Sequence, residues 1–448
     1  MMSVSSEAPA GYHRSALFWI CTLALFTAAI ANVLRIGASG AIQADIFDKF
    51  DPAHSAQLIG AALGAAFSGF AISLLVVSPL LDVFGAKRVL LFASLCYVLG
   101  PLLIDFAPRL AGNPHGAGDL VWWGMGLTGL AWGCTEGSIN PVVAALFPDN
   151  KIGRLSMLHA WWPGGIIVGG LLSALLFPRL NVGWQVQMGL VALPGLLLGL
   201  FAATQKFPRT GISSTGPEFW TMIAEPFRHP TFWIFFAIML LTSSTELAPG
   251  SWVDVTLTHT VHMKGVLLLV FMSAVMFVLR HFAGPIAHRF SDIAMLWMCT
   301  VPAAIGLYLL SVANSPPTAI LAAIVWAFGV CFMWPTMLAA VAQRYPRGGP
   351  WTIGLTGFAG ALAIQFVLPV LGSIYDHAKL ARAGGTVAFE AAQKAGGTHY
   401  AEILAYAAKT SFQTVALIPV VLFVVFGVLW FLERRGQFGG STAPQPAE

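Results

Sequence analysis

Residues 78–88 read SPLLDVFGAKR, and residues 284–291 read GPIAHRFS. The two stretches align at a constant offset, which places Pro79 on Pro285 and Phe84 on Phe290. Each stretch follows a long apolar run, and the two lie in opposite halves of the chain. Corresponding loops at corresponding positions indicate that the chain consists of two related halves.

The composition indicates that most of the protein is surrounded by lipid. Apolar residues make up 57% of the 448 residues and charged residues only 9%, against roughly 25% charged residues in ordinary soluble domains. A soluble fold of this length needs far more polar surface to cover its core. We therefore expect an integral membrane protein.

An α-helix needs about 20 apolar residues to cross the hydrocarbon core of a bilayer. The sequence predicts an all-α membrane protein with twelve transmembrane helices in two pseudo-symmetric six-helix bundles. The predicted spans are residues 16–38, 57–80, 88–106, 119–146, 154–177, 184–204, 231–251, 264–288, 292–312, 317–341, 351–374 and 411–433.

Two long connections interrupt the pattern of short loops. The segment 205–230 divides the chain almost in half and contains prolines and glycines, so we predict a linker between domains at 1–204 and 231–448. The segment 375–410 is predicted to be an outer loop with room for a short amphipathic helix.

The lysines and arginines of the loops predict the orientation in the membrane, because cytoplasmic loops carry an excess of them. With the N-terminus inside, thirteen lie on the cytoplasmic side: Arg14, Lys87, Arg88, Lys151, Arg154, Lys206, Arg209, Arg228, Arg289, Arg344, Arg347, Arg434 and Arg435. Outside the segment 375–410, four lie on the outer side: Lys49, Arg109, Arg179 and Lys264. We predict a multi-pass protein of the plasma (inner) membrane with both termini cytoplasmic.

The loop at 78–88 resembles the G-x-x-x-D-R-x-G-R-K loop of the major facilitator superfamily. The matching residues are Asp82, Gly85, Lys87 and Arg88, whereas Ser78 and Val83 depart from the pattern. The resemblance implies the major facilitator fold.

A conformational latch is the functional interpretation of this loop, and its predicted residues are Asp82, Gly85, Lys87, Arg88 and Arg289. An acidic residue at a helix end can pair with a helix terminus or with a basic residue across the domain interface. In the second copy His288 occupies the acidic position, which weakens the case for a charge latch there. The alternative is that the basic residues only enforce the topology.

Three further stretches resemble the fucose/glucose–proton symporter family. Residues 135–141, TEGSINP, are similar to its E-x-x-x-N-P stretch in the fourth helix. Residues 158–164, LHAWWPG, are similar to the opening of its fifth helix. Thr245-Glu246 followed by Gly250-Ser251-Trp252 resembles its seventh helix. The resemblance implies a sugar carrier driven by protons.

Four charged residues lie well inside predicted spans: Arg35, Glu136, Glu246 and Arg280. Such charges are costly in lipid and need a partner or a water-filled cavity. A carboxyl group shielded from water holds a proton more readily than an exposed one. Glu136 and Glu246 are therefore our candidates for proton coupling, and for Glu136 a structural hydrogen bond or an ion pair with an arginine is the alternative role.

The predicted substrate-binding residues are Asn32, Arg35, Glu136, Asn140, His159, Trp162, Glu246, Trp252, Arg280 and Gln365. Aromatic rings suit the apolar faces of sugars, while carboxylates and amides bind the hydroxyl groups. Structural alternatives remain open at this stage. Trp252 could be a residue of the interfacial belt, Arg35 could snorkel to the surface, and Arg280 and His159 could serve packing.

No nucleotide-binding loop, metal-ligand cluster or nucleophile–base pair occurs at useful spacing, so we predict neither an enzyme nor a cofactor. The expected function is proton-coupled symport of a small hydrophilic solute such as a sugar, by alternating access. The alternatives are an organic-anion transporter that uses Arg35 and Arg280, a multidrug exporter, or a non-transporting receptor on the same scaffold. The expected partners are a small-molecule substrate, protons and membrane lipid, with no nucleic acid, and we expect a monomer.

Overall fold

The computed structural model describes residues 11–110, 114–147, 151–210, 216–257, 261, 263–281 and 290–435. Within these ranges the regular structure is entirely helical. A helix satisfies the backbone hydrogen bonds within its own segment, as a segment surrounded by lipid requires.

Twelve long helices follow one another along the described chain. Their bounds are α1 Arg14–Phe47, α2 Ser55–Phe84, α3 Ala86–Leu110, α4 Pro114–Leu146, α5 Met157–Arg179, α6 Trp184–Thr204, α7 Pro230–Leu257, α8 Val266–His281, α9 Asp292–Val312, α10 Pro316–Arg344, α11 Pro346–Ala383 and α12 Gly397–Arg434. Ten of these described helices are long and apolar enough to cross a membrane, and α8 is a shorter apolar helix. The 33 residues of α4 provide ample length for a crossing.

Both α5 and α10 are interrupted where prolines remove a backbone donor. In α5 the regular helix stops at His159 and resumes at Trp161, and Pro163 cannot donate to the carbonyl of His159. In α10 the helix Pro316–Val330 stops before Cys331 and resumes at Met333. Both interruptions lie beside the cavity described below.

The segment 375–410, predicted as an outer loop, is mostly helical, because the flanking helices extend into it from both sides. The helix α11 continues to Ala383, where Gly384 adopts a left-handed conformation with φ of +90°, and α12 begins at Gly397. The predicted short helix is present as Thr386–Ala395. Phe389 and Ile403 pack together in a small apolar cluster of their own. Hydropathy detects runs long enough to cross a membrane, and this cluster is too small to register.

The connection between α6 and α7 contains a helix of its own, Gly216–Arg228. The neighbouring helices end at Thr204 and begin at Pro230, which is where the sequence predicts the linker. The division into domains at these positions remains a prediction.

The two halves touch at the end of the molecule that lies opposite the linker. There α2 crosses α11 closely, because a Cβ atom on Gly60 or Gly372 would lie only 2.6 or 2.3 Å from a backbone oxygen of the other helix. The backbone N–H of Gly40 in α1 also donates to Asp254 Oδ2 in α7 at 3.4 Å. Small residues that let backbones approach are typical of helix contacts in membranes.

Candidate functional site

A cavity of about 1590 Å³ lies between the two halves. Its lining extends from Glu136 and Glu246 in the interior to Thr210 and Gln343 at the end that carries the linker. A smaller recess of about 70 Å³ adjoins its deep end and is also lined by Glu246. Because Thr210 and Gln343 belong to its lining, the cavity reaches the linker side of the molecule.

One wall of the cavity carries a chain of hydrogen-bonded polar groups from α4 and the start of α5. His159 Nε2 lies 2.9 Å from Asn140 Oδ1, and because an amide oxygen only accepts, the imidazole N–H donates this bond. Asn140 Nδ2 lies 3.3 Å from the backbone oxygen of Glu136 and 3.5 Å from its Oε2. One helical turn separates Glu136 from Asn140, so both face the cavity. All three residues were predicted as site residues.

A stack of aromatic rings stands beside this polar chain. Trp132 lies between Phe70 and Trp162, with ring centroids 4.3 Å and 5.0 Å away and nearly parallel planes. All three rings line the cavity. The Nε1–H of Trp132 is buried and has no hydrogen-bond partner among the described residues. Trp132 was not predicted, although it lies one turn before Glu136 in α4.

The opposite wall carries Glu246 on α7, which lines both the cavity and the recess. Its side chain is only 7% exposed, and Oε2 has no hydrogen-bond partner in the described part of the chain. A buried carboxyl oxygen without a partner is costly, whether the group is charged or protonated. This oxygen can therefore accept a proton or bind a polar ligand group.

Arg280 on α8 also lines the cavity and the recess, but one of its donors is occupied. Its Nε donates to the backbone oxygen of Cys331 at 3.3 Å. In a regular helix that oxygen would accept from residue 335, which is a proline without an N–H. Arg280 thus compensates for the missing donor of Pro335 and supports the interruption in α10.

Arg35 lies behind the site rather than in its lining. The guanidinium donates to Asn32 Oδ1 at 2.6 Å and to Thr128 Oγ1 at 3.4 Å, and it lies 5.9 Å from the ring centroid of Phe67. Asn32 lines the recess. Arg35 therefore reaches a ligand only through Asn32, whose side chain it orients.

Two further predicted site residues, besides Arg35, lie apart from the cavity lining. Trp252 is 1% exposed and packs edge-to-face against Tyr375, with ring centroids 6.4 Å apart. Gln365 lies where α11 meets α2, beside Gly64. Trp334 lines the cavity although it was not predicted, and the signal for it is the adjacent Pro335, which interrupts α10.

The predicted latch residue Asp82 contacts the linker. Its carboxylate accepts from the backbone N–H of Thr210 at 2.8 Å and from the Thr210 hydroxyl at 2.9 Å. Lys87 donates to the backbone oxygen of Ala203 at 2.6 Å. Gly85 has a φ of +81°, a conformation that favours glycine. These contacts join the α2–α3 turn to the end of α6 and to the linker.

The other two latch residues contribute no contact that can be assigned. Arg88 is exposed on α3. Arg289 and the neighbouring His288 lie outside the described residues. A latch across the domain interface remains a prediction, and the contacts of Asp82 show a link between α2 and the linker instead.

Comparison with known proteins gives sugar transporters among the relatives. The D-xylose transporter of Levilactobacillus brevis is 28% identical over 154 residues, which is 33% of this chain and 28% of that protein. The glucose transporter GlcP of Staphylococcus epidermidis is 27% identical over 148 residues, or 32% of this chain and 28% of that protein. The matches thus span just over a quarter of the length of these relatives.

The fold matches over nearly the whole chain. A crystal structure of a D-xylose–proton symporter has a TM-score of 0.70 at 14% identity and covers 90% of this chain and 97% of that chain. Likeness at this identity shows the fold alone, and it confirms the predicted fold class. A family model of the Major Facilitator Superfamily matches residues 16–364. Because this match covers most of the chain and agrees with the fold, the chain belongs to the Major Facilitator Superfamily.

Proposed function

We propose that this protein is a proton-coupled symporter of a sugar. The observation that carries the proposal is Glu246, a buried carboxyl group in the cavity whose Oε2 lacks a protein partner. A group of this kind can take up a proton or a sugar hydroxyl, depending on the step of the transport cycle. The xylose and glucose transporters among the relatives support a sugar as the substrate.

The opposite wall suits a sugar ring. Trp162, at the end of the stack, offers a flat apolar surface, and Asn140 and His159 offer hydrogen-bonding groups beside it. Sugars combine apolar ring faces with polar edges, so a site of this composition binds both parts of the molecule. We infer that the ring lies against the aromatic stack and that its hydroxyl groups reach Asn140 and Glu246.

Alternating access is the proposed mode of transport. The accessible cavity corresponds to the state that opens toward the linker, which is the cytoplasmic side under the predicted topology. Opening to the other side requires the contacts at the opposite end to break. These include the backbone N–H of Gln57 donating to Asp376 Oδ2 at 2.8 Å and Lys379 Nζ donating to the backbone oxygen of Pro52 at 2.9 Å.

The test is uptake of labelled xylose and labelled glucose into proteoliposomes that contain the purified protein. With an inward proton gradient we expect accumulation above the external concentration, and collapse of the gradient by a protonophore should reduce it to equilibration. Uptake that is insensitive to the gradient would contradict proton coupling but not sugar transport. Absence of flux for every sugar would contradict both.

An organic anion is the second candidate substrate. Arg280 supports it, because a cationic side chain lines the recess and can bind a carboxylate. The predicted second arginine, Arg35, lies behind Asn32, which leaves a single arginine in contact with a ligand. Competition by lactate or citrate against sugar uptake tests this candidate, and strong competition would favour the anion.

The setting of the protein is also proposed. We infer residence in the plasma membrane as a monomer, with both termini on the cytoplasmic side, from the lysines and arginines of the loops. A cavity of about 1590 Å³ suits transport better than the alternative of a non-transporting receptor, which predicts a passage too narrow for a solute.

A further inference from the structure

The helix Gly216–Arg228 in the linker has two different faces. Met222 and Glu225 are buried against the rest of the protein, and Trp351 Nε1 donates to the backbone oxygen of Ile223 at 3.3 Å. On the other face Trp220 is 67% and Phe227 is 65% exposed. These two residues are seven positions apart, which is about two helical turns, so they lie on the same side. The protein itself therefore leaves an aromatic face uncovered.

This aromatic face is continuous with a surface that must contact lipid. Phe227 packs against Trp233 in the first turn of α7, with ring centroids 5.6 Å apart. Trp233 and Ile234 are exposed apolar residues of a membrane-spanning helix. An exposed apolar surface on a spanning helix faces lipid, and this one lies at the end of α7, where the membrane gives way to water. The contact between Phe227 and Trp233 therefore points to the headgroup depth as the position of the linker helix.

The charges around the helix agree with a lipid surface as its partner. Arg228 is exposed at the end of the helix, and Arg347 is exposed in the turn Pro346–Gly348, against which the helix packs. The hydroxyl groups of Tyr345 and Thr231 lie 2.7 Å apart and join this turn to the start of α7. Amphipathic helices that carry aromatic and basic residues bind in the interface of membranes with anionic lipids.

We propose that the linker helix lies in the headgroup region of the membrane, with Trp220 and Phe227 inserted and with Arg228 and Arg347 against anionic phospholipid. Trp is enriched at this depth because its ring is apolar and its N–H is polar. The linker is thereby anchored to the bilayer between the two halves. This inference is independent of the substrate.

Spin labels on the full-length protein test the proposal. Trp220→Cys and Phe227→Cys are each labelled in vesicles of phosphatidylethanolamine and phosphatidylglycerol, and the five native cysteines are buried, so labelling is directed to the new thiol. Oxygen concentrates in lipid and a nickel chelate stays in water. We expect oxygen to relax both labels more strongly than the chelate does. The control is Val387→Cys, which is 83% exposed on the short helix Thr386–Ala395, where the chelate should dominate.

Each other outcome contradicts a defined part of the proposal. Chelate accessibility at 220 and 227 equal to that at 387 would overturn insertion of the helix. Spin–spin broadening at either position would show that a second copy of the chain covers this face instead of lipid. With phosphatidylcholine as the only lipid, we expect the label at 227 to become more accessible to the chelate. An unchanged accessibility there would overturn the contact between the arginines and anionic headgroups.

Discussion

The two walls of the cavity differ in the hydrogen bonding of their polar groups. On the wall from α4 and α5, Glu136, Asn140 and His159 are joined in one hydrogen-bonded chain beside stacked rings. On the wall from α7 and α8, Glu246 keeps one oxygen without a partner, and Arg280 donates to a backbone oxygen. The polar groups of the first wall are hydrogen-bonded to one another before a ligand binds. On the second wall Glu246 has an oxygen without a hydrogen-bond partner in the described part of the chain.

This difference suggests that one wall determines substrate affinity and the other determines coupling. A preorganised wall fixes the position of a substrate at low entropic cost. A carboxyl oxygen without a protein partner responds to whatever enters, whether a proton or a hydroxyl group. We therefore expect changes in the first wall to alter affinity and changes at Glu246 to alter coupling.

The largest expected effect follows from Glu246→Gln. Glutamine keeps the shape and can bind a hydroxyl group, but it cannot release a proton. Gradient-driven accumulation of sugar in proteoliposomes should be lost, so that the internal concentration only equilibrates with the external one, as it does with a protonophore. Exchange of labelled for unlabelled sugar without a gradient should persist.

The matched control for this variant is Glu225→Gln. Glu225 is also buried, but it lies in the linker helix 3.5 Å from His229 and outside the cavity lining. It should accumulate sugar as the unmodified protein does. If the Glu246 variant accumulates sugar equally well, the proton is handled elsewhere, and Glu136 becomes the next candidate.

A smaller effect is expected from Asn140→Leu, because it leaves His159 and Glu136 without their shared partner. Because these bonds face the cavity and are not fully buried, the net loss is about 0.5–1.5 kcal/mol, which is roughly two- to thirteenfold in the dissociation constant. Sugar binding measured by calorimetry should weaken by about tenfold. Ser138→Ala is the control on α4, since the Ser138 hydroxyl donates to the backbone oxygens of Cys134 and Thr135 within its own helix. Equal affinity in both variants would remove Asn140 from the site.

The first wall was largely predictable from the sequence, for a physical reason. A charge such as Glu136 inside a membrane span requires a cavity or a partner, and helical periodicity then brings Asn140 to the same side. His159 and Trp162 follow one another by a similar spacing in α5. Their proximity to α4 was not predicted, because spacing within one helix does not tell which helix packs beside it.

The choice between aromatic residues was not predictable. Trp132 and Trp252 both lie within a few residues of an interior glutamate, yet Trp132 lines the cavity and Trp252 packs against Tyr375. The rotation of each helix about its axis decides this, and packing against neighbouring helices sets that rotation. The partner of Arg280 was also not predictable. It is the backbone oxygen of Cys331 on another helix, which lacks its usual donor because residue 335 is a proline.

Substitutions at Trp162 and Trp252 provide a further test of the first wall. Trp162→Ala removes one ring of the stack, and stacking contributes about 0.5–1.5 kcal/mol beyond area burial. The dissociation constant of the sugar should rise about three- to tenfold in quenching of tryptophan fluorescence. Trp252→Phe keeps the packing against Tyr375 and should leave the affinity unchanged. The reverse order of effects would mean that Trp252 contacts the substrate.

The smallest expected effect concerns Arg280 on the second wall. It tests whether Arg280 stabilises the backbone of α10 or binds the substrate. Arg280→Ala leaves the carbonyl group of Cys331 without a donor and should lower the melting temperature. Pro335→Ala supplies the backbone N–H that is missing at residue 335 of α10. Arg280→Ala should therefore lower the melting temperature less when it is combined with Pro335→Ala. We expect a coupling free energy of about 1 kcal/mol between the two sites. Lys409→Ala, which is exposed on α12, serves as the control. Additive effects on thermal unfolding would mean that Arg280 does not support the interruption, and its guanidinium would then be free to bind an anion.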